Sequence, residues 1–169
     1  MGELTTGFVW HELYMWHDTG TSASVMPASL TVEPLGHIES PDSKRRIRNL
    51  LEVSGLLDKL VQLKPRPATE DEILRLHTRE YVERIKKMSS AAGGDAGEET
   101  PFGRGSYEIA LLAAGGCITA VDAVLDGKVD NVYALGARLA ITRRKTRAVV
   151  SASSATPLWR PCMRGRRAG

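Results

Sequence analysis

The stretch SYEIALLAAGGCITAVDAVLDGKVDNVYAL, residues 106–135, decides the fold. Its first twenty residues place Ile109, Leu112, Gly116, Ala120 and Val124 at helical spacing, which predicts a helix from about Ser106 to Leu125. Gly127 stands just past the last periodic residue, where a left-handed turn ends a helix. Residues 129–135 follow directly as a short apolar run fit for a buried strand. The Gly115-Gly116 pair within the helix permits close approach of another backbone. A long helix feeding a strand, with strands too far apart for hairpins, argues an α/β fold with a parallel sheet.

The elements upstream fit the same order. Gly7-Phe8-Val9-Trp10 reads as a first strand. Residues 11–40 have little periodicity and are expected to form a long loop, of the kind that shapes a site. Pro41-Asp42-Ser43 opens a helix with Ile47, Leu50, Leu51 and Val53 inward and Gly55 as its terminator. Residues 56–61 form a second short apolar piece, closed by Pro65 and Pro67. Thr69 and Glu72 make a capping box ahead of Ile73, Leu74 and Leu76. A further helix, about His77 to Met88, puts Tyr81, Val82 and Ile85 on one face. Residues 89–105 are expected to be a second loop, holding Gly93-Gly94-Asp95-Ala96-Gly97. There is no internal repeat, and 169 residues suit one domain.

Charge divides the chain sharply. Residues 1–135 carry 20 Asp/Glu against 14 Lys/Arg, a net of −6, whereas residues 136–169 carry 9 Lys/Arg and no acid, a net of +9. After Leu135 the chain runs Gly-Ala-Arg-Leu-Ala-Ile-Thr-Arg-Arg-Lys-Thr-Arg, with no period of 2 or 3.6. Such a segment cannot offset its ordering entropy, so disorder is expected from 136 on. It could be read as an arm for nucleic acid or another acidic partner, since clustered cations neutralise phosphates. The absence of interleaved aromatics, a helix pattern and a known motif argues against nucleic acid.

The N-terminus lacks a charged segment followed by an apolar one, and no run of roughly 18 apolar residues is present, so a cytoplasmic chain without membrane association is expected. Cys117 and Cys162 support neither a disulfide framework nor a zinc knuckle. His11, His17, His37 and His77 show no ligand spacing and read as surface or packed residues.

Five stretches, in order, resemble the zinc-dependent histone deacetylase superfamily, and within it the bacterial class II-like histone deacetylase and acetylpolyamine amidohydrolases. They are Gly7-Phe8-Val9-Trp10 with His17-Asp18-Thr19-Gly20; Ser40-Pro41-Asp42-Ser43-Lys44-Arg45-Arg46-Ile47; the run from Ala68 to Val82; Gly93-Gly94-Asp95; and Asn131-Val132-Tyr133-Ala134-Leu135. Ser40 replaces the family's usual His. In the family, Tyr-Ala-Leu continues into Val-Arg-Pro-Pro-Gly-His-His-Ala, whose His pair works on a zinc-bound water. Here the chain reads Gly136-Ala137-Arg138-Leu139-Ala140-Ile141-Thr142 instead.

Codon logic accounts for that departure. Residues 135–142 can be spelled CTG GGC GCC CGC CTG GCC ATC ACG, and restoring one T after the first G of the second codon gives Leu-Val-Arg-Pro-Pro-Gly-His-His. The same frame allows Ala-Glu-Glu-Asp across 142–146 and Gly-Phe-Cys-Ile-Phe-Ser-Asn-Ala across 149–156, close to the family's Gly-Phe-Cys-x-Phe-Asn-Asn. The resemblance thus implies an N-terminal portion of the domain at 1–135, incomplete in its sheet, followed by an out-of-frame tail at 136–169.

What the family implies for chemistry is metal-assisted hydrolysis of an acylated lysine or polyamine amide: an Asp-His-Asp set holds zinc, metal and His activate water, and a Tyr stabilises the oxyanion. All of those groups lie downstream of residue 135 in the family, so no catalytic residue, metal ligand or cofactor is expected in this chain. Two roles carry over by position. Asp95 matches the rim aspartate that accepts hydrogen bonds from the substrate backbone, and Arg46 matches the arginine lining the internal channel. Read from the residues alone, Asp95 is a turn residue between glycines and Arg46 one more solvated charge. Trp16 and Asp18 fall in the loop that shapes the pocket mouth in relatives. A small binding protein with a functional basic tail is the alternative from another class.

Overall fold

The computed structural model describes residues 4–23, 26–27, 29–97 and 100–136, so the expectations for the segment from 137 on lie outside the described residues. Strand β1 (Thr6–Val9) leads through a 3-10 turn, Glu12–Trp16, into a small antiparallel sheet of β2 (Thr21–Ala23), β3 (Met26–Pro27) and β4 (Leu35–Gly36). Helix α1 (Asp42–Val53), a 3-10 turn at Leu57–Lys59 and strand β5 (Val61–Leu63) follow. Helices α2 (Glu70–Leu74) and α3 (Arg79–Ser90) precede two short paired strands, β6 (Gly94–Asp95) and β7 (Pro101–Phe102). Helix α4 (Ser106–Leu125) and strand β8 (Asn131–Ala134) come last.

The central sheet has the order β5-β1-β8 and is parallel throughout, with Gly7 opposite both Val61 and Val132. The α/β reading therefore holds, and α4 has the bounds its periodicity predicts. It packs on β1 and β8, and Gly115 and Gly116 let other chain segments approach. A Cβ on Gly115 would collide with the Arg66 carbonyl oxygen and the Ala68 amide nitrogen; on Gly116 it would lie 2.6 Å from the Tyr14 hydroxyl. Gly127, at φ +68°, terminates the helix in the left-handed region. Tyr14, Ile73, Val82, Ile85, Phe102 and Leu112 form the core beside it, and Phe8 stacks on Tyr133 at 6.2 Å.

The start of α4 is capped from elsewhere. Its N-cap residue is Gly105, which has no side chain to offer. The buried Ser89, at the end of α3, accepts the Tyr107 amide at 2.9 Å through its hydroxyl oxygen, while its carbonyl accepts the Gly105 amide at 3.1 Å. The Thr69–Glu72 capping box forms as expected, and Arg66 clamps Glu72 with two bonds of 2.7 and 2.9 Å. Those bonds hold the Glu72 carboxyl down at about 2.

Six expectations need correction. Strand β8 pairs as expected but is not buried: Tyr133 and Ala134 are exposed and Val132 is half-buried. Residues 11–40 are no plain loop: two- and three-residue strands leave no readable period, yet they pair. The strand of this region is Val61-Gln62-Leu63 and not the apolar piece read at 56–61, and it pairs with β1 on the side opposite β8. Residues 89–105 contain the β6–β7 hairpin. The inward face assigned to α1 has no cover among the described residues: Leu50 is 68% and Val53 88% exposed, and no residue of α1 is buried. Finally, α4 is long and apolar enough to cross a membrane by length and composition. Half of its twenty residues are buried on the sheet and α3, which is the setting of a core helix.

Candidate functional site at the carboxyl ends of the strands

Ligands of open α/β sheets sit beyond the carboxyl ends of the strands. At that end of β1 come Trp10, the turn Glu12–Trp16, His17 and Asp18. Helix α4 returns antiparallel and joins β8 through residues 126–130, so its N-terminus stands at the same end. The β6–β7 hairpin is carried there just ahead of it. One backbone bond ties the two together, the Gly103 amide donating to the Asp18 carbonyl at 2.9 Å. A Cβ on Gly103 would meet the Asp18 side chain, so glycine is what lets this seam close.

Beneath the seam lies a buried polar group. His17 Nδ1 and the Ser106 hydroxyl are 3.1 Å apart, and both residues are buried. Burial pushes the His17 imidazole down to about 4, with Lys44 and His37 lowering it further and Asp18 opposing them. His37 accepts the Glu39 amide on Nδ1 at 3.1 Å, while its buried Nε2 has no partner among the described residues.

Asp95 is exposed on β6. Its Oδ1 accepts the Gly97 amide at 2.6 Å and the Thr100 amide at 3.1 Å, the turn-forming behaviour that its glycine-rich setting suggests. No hydrogen bond occupies Oδ2 among the described residues. Arg46 is exposed on α1 and makes no ion pair among the described residues, whereas its neighbours Arg45 and Arg48 pair with Glu12 and Glu52. The Arg45–Glu12 bridge brings the start of α1 to the turn after β1. Arg46 and Asp95 share no hydrogen bond or ion pair. Trp16 is exposed beside the buried His17, and His77 stacks on Tyr81 at 5.3 Å in the packing role expected of it.

Sequence reasoning missed Ser89 and Arg84. The Arg84 guanidinium lies over the Tyr81 ring at 5.3 Å and donates to the carbonyls of Asp95 and Ala96 at 3.4 and 3.0 Å. An arginine on a charged helix face carries no sign of such a partner. Zinc is the metal that the resemblance implies. Among the described residues no three His, Cys, Asp or Glu side chains gather to hold an ion. The described residues do not fit zinc.

The architecture is a parallel α/β sheet with the turn after β1 and the β6–β7 hairpin joined at its carboxyl ends. The histone deacetylase domain matches residues 37–138, and the chain belongs to that family. A histone deacetylase-like amidohydrolase of Pseudomonas aeruginosa is 47% identical over 133 residues, covering 77% of this chain and 35% of that protein. A probable deacetylase of Archaeoglobus fulgidus is 31% identical over 134 residues, covering 78% and 33%. The polyamine deacetylase HDAC10 of Danio rerio is 31% identical over 112 residues, covering 63% and 17%. A crystal structure of the HDA15 HD domain superposes with a TM-score of 0.65 at 25% identity, over 78% of this chain and 35% of that one. The chain thus spans about a third of the length of the first two relatives.

Proposed function

We propose that this chain is the N-terminal portion of a zinc-dependent amide hydrolase for acylated amines, acetyl-lysine in a polypeptide or acetylpolyamine. In this reading the portion supplies substrate positioning and lacks the bond-breaking machinery. The observation that carries it is the Asp95 carboxylate, presented on a hairpin docked to the strand ends with Oδ1 tied to its own loop. Oδ2 would accept N–H bonds from substrate backbone beside the acylated side chain, a charge-assisted contact that orients without attacking. Arg46 would line the internal channel once the rest of the domain surrounds α1.

The tail from 136 on is taken as out-of-frame sequence. The family match ending at residue 138 and the loss of every acidic residue after Asp130 support that reading. On this reading the encoded chain holds no metal ligand set, and binding without a transition-state contact does not speed chemistry.

The test compares the 169-residue chain with the product of the gene carrying the restored base and its downstream sequence. Elemental analysis should find no stoichiometric zinc in the former, and acetyl-lysine and acetylpolyamine hydrolysis should stay at background. Zinc and deacylase activity should appear together in the latter, and Asp95→Ala there should cut turnover with zinc content intact. An active or zinc-loaded 169-residue chain overturns the proposal. Salt-dependent retention of the chain on DNA would favour the binding-protein alternative.

A further inference from the structure

We infer that Arg84 is the positioning residue that presents Asp95 to substrate, and so sets the preference for polypeptide over small-amine substrates. The inference rests on the rim reading of Asp95. Strands β6 and β7 have two residues each, too few to hold a hairpin by themselves. Gly93 at φ +92° and Gly97 at φ +120° flank Asp95 with permissive backbone. The direction of the Asp95 side chain therefore depends on anchors outside the hairpin.

Arg84 bridges two successive carbonyls, those of Asp95 and Ala96, and so fixes the backbone on which the carboxylate is mounted. Its guanidinium is itself held over Tyr81, which stacks on His77, so the clamp is organised from α3 before substrate arrives. A planar fork with several fixed donors can serve two acceptors at once, whereas an ammonium is a single point charge on a flexible stem. Arg84 is exposed, so solvent screens its charge and the clamp acts through its geometry.

The contacts proposed for Asp95 are to backbone amides flanking an acylated lysine, and an acetylated diamine has no such amides. A defect in presenting Asp95 must therefore fall on peptide substrates more heavily. In the frame-restored enzyme, kcat/KM is measured for an acetyl-lysine peptide and for acetylputrescine. Arg84→Ala should lower the peptide-to-acetylputrescine ratio about tenfold or more, the scale of a charge-assisted bond. Arg84→Lys should fall between it and the parent.

In the 169-residue chain itself, Arg84→Ala should speed amide exchange at Gly97 and Thr100, the two donors to Asp95 Oδ1, by about tenfold. If Asp95→Ala lowers the ratio and Arg84→Ala leaves it in place, this inference is overturned and the rim reading survives. If Asp95→Ala also leaves the ratio in place, the rim reading fails and takes the inference with it. A loss equal on both substrates marks Arg84 as merely structural, and unchanged exchange in the 169-residue chain likewise overturns the inference.

Discussion

His17 is a histidine that its surroundings keep neutral. Burial lowers its imidazole from an ordinary 6.5 to about 4, with Lys44 and His37 acting in the same direction. Between those two values the unfolded chain binds a proton that the folded chain refuses. The contribution is thus fully present above pH 6.5, shrinks as pH falls through the window, and is gone below about 4. A shift of that size corresponds to roughly 3 kcal/mol at the acid end. Urea unfolding at pH 7 and pH 4.5 should show a marked loss at the lower pH, and His17→Gln should flatten the difference while keeping an amide for Ser106. An equally steep loss in His17→Gln would assign the effect to another group. None of this could be read from the sequence, because the partners of His17 at Ser106 and His37 are long-range. Asp95 and Arg46 stood out only through the family resemblance; composition and spacing offered a turn residue and a solvated charge.

Among the elements, α4 was the most legible and also sets two forces against each other. Replacing Gly115 by alanine should stabilise a helix interior by about 1 kcal/mol on propensity alone. The added Cβ, however, would collide with backbone atoms of Arg66 and Ala68, and the Ala68 amide already donates to the Leu111 carbonyl at 2.8 Å. A backbone obstacle cannot swing aside as a side-chain tip can, and overpacking of this kind costs about 1–3 kcal/mol or more. The clash should win, and Gly115→Ala should lower the thermal midpoint by several degrees; a raised midpoint would mean that the 65–68 segment yields. The helix could be read because its apolar period runs for twenty residues. Strand β5 could not, because Val61-Gln62-Leu63 is too short to show alternation and two prolines follow closely. The β6–β7 hairpin was hidden for the same reason: each of its strands has only two residues.

At the scale of the molecule, α1 carries the amphipathic pattern that its sequence predicts, and the apolar side of that pattern has no partner among the described residues. Ile47, Leu50 and Val53 do share a face, yet that face is open, and the sheet ends in β5 and β8 with no further strand among the described residues. Open edges and exposed apolar stripes promote self-association. The chain spans about a third of the length of the first two relatives, and on the proposed reading the rest of the domain would supply the surface that covers α1. Substituting Leu50 and Val53 by lysine separates the two situations. Neither side chain is buried here, so the double variant should stay within about 0.5 kcal/mol of the parent per site, and cations near a helix C-terminus are mildly favourable. It should also elute later and more sharply than the parent in size-exclusion chromatography at equal concentration, because the adhesive stripe is gone. In the frame-restored protein the same pair should instead bury two charges, which costs several kcal/mol unless they are paired, and soluble yield should collapse. If the frame-restored protein accepts both lysines without loss, α1 remains uncovered there too, and the assignment of this chain as the first part of a larger domain fails at the helix where it is most exposed.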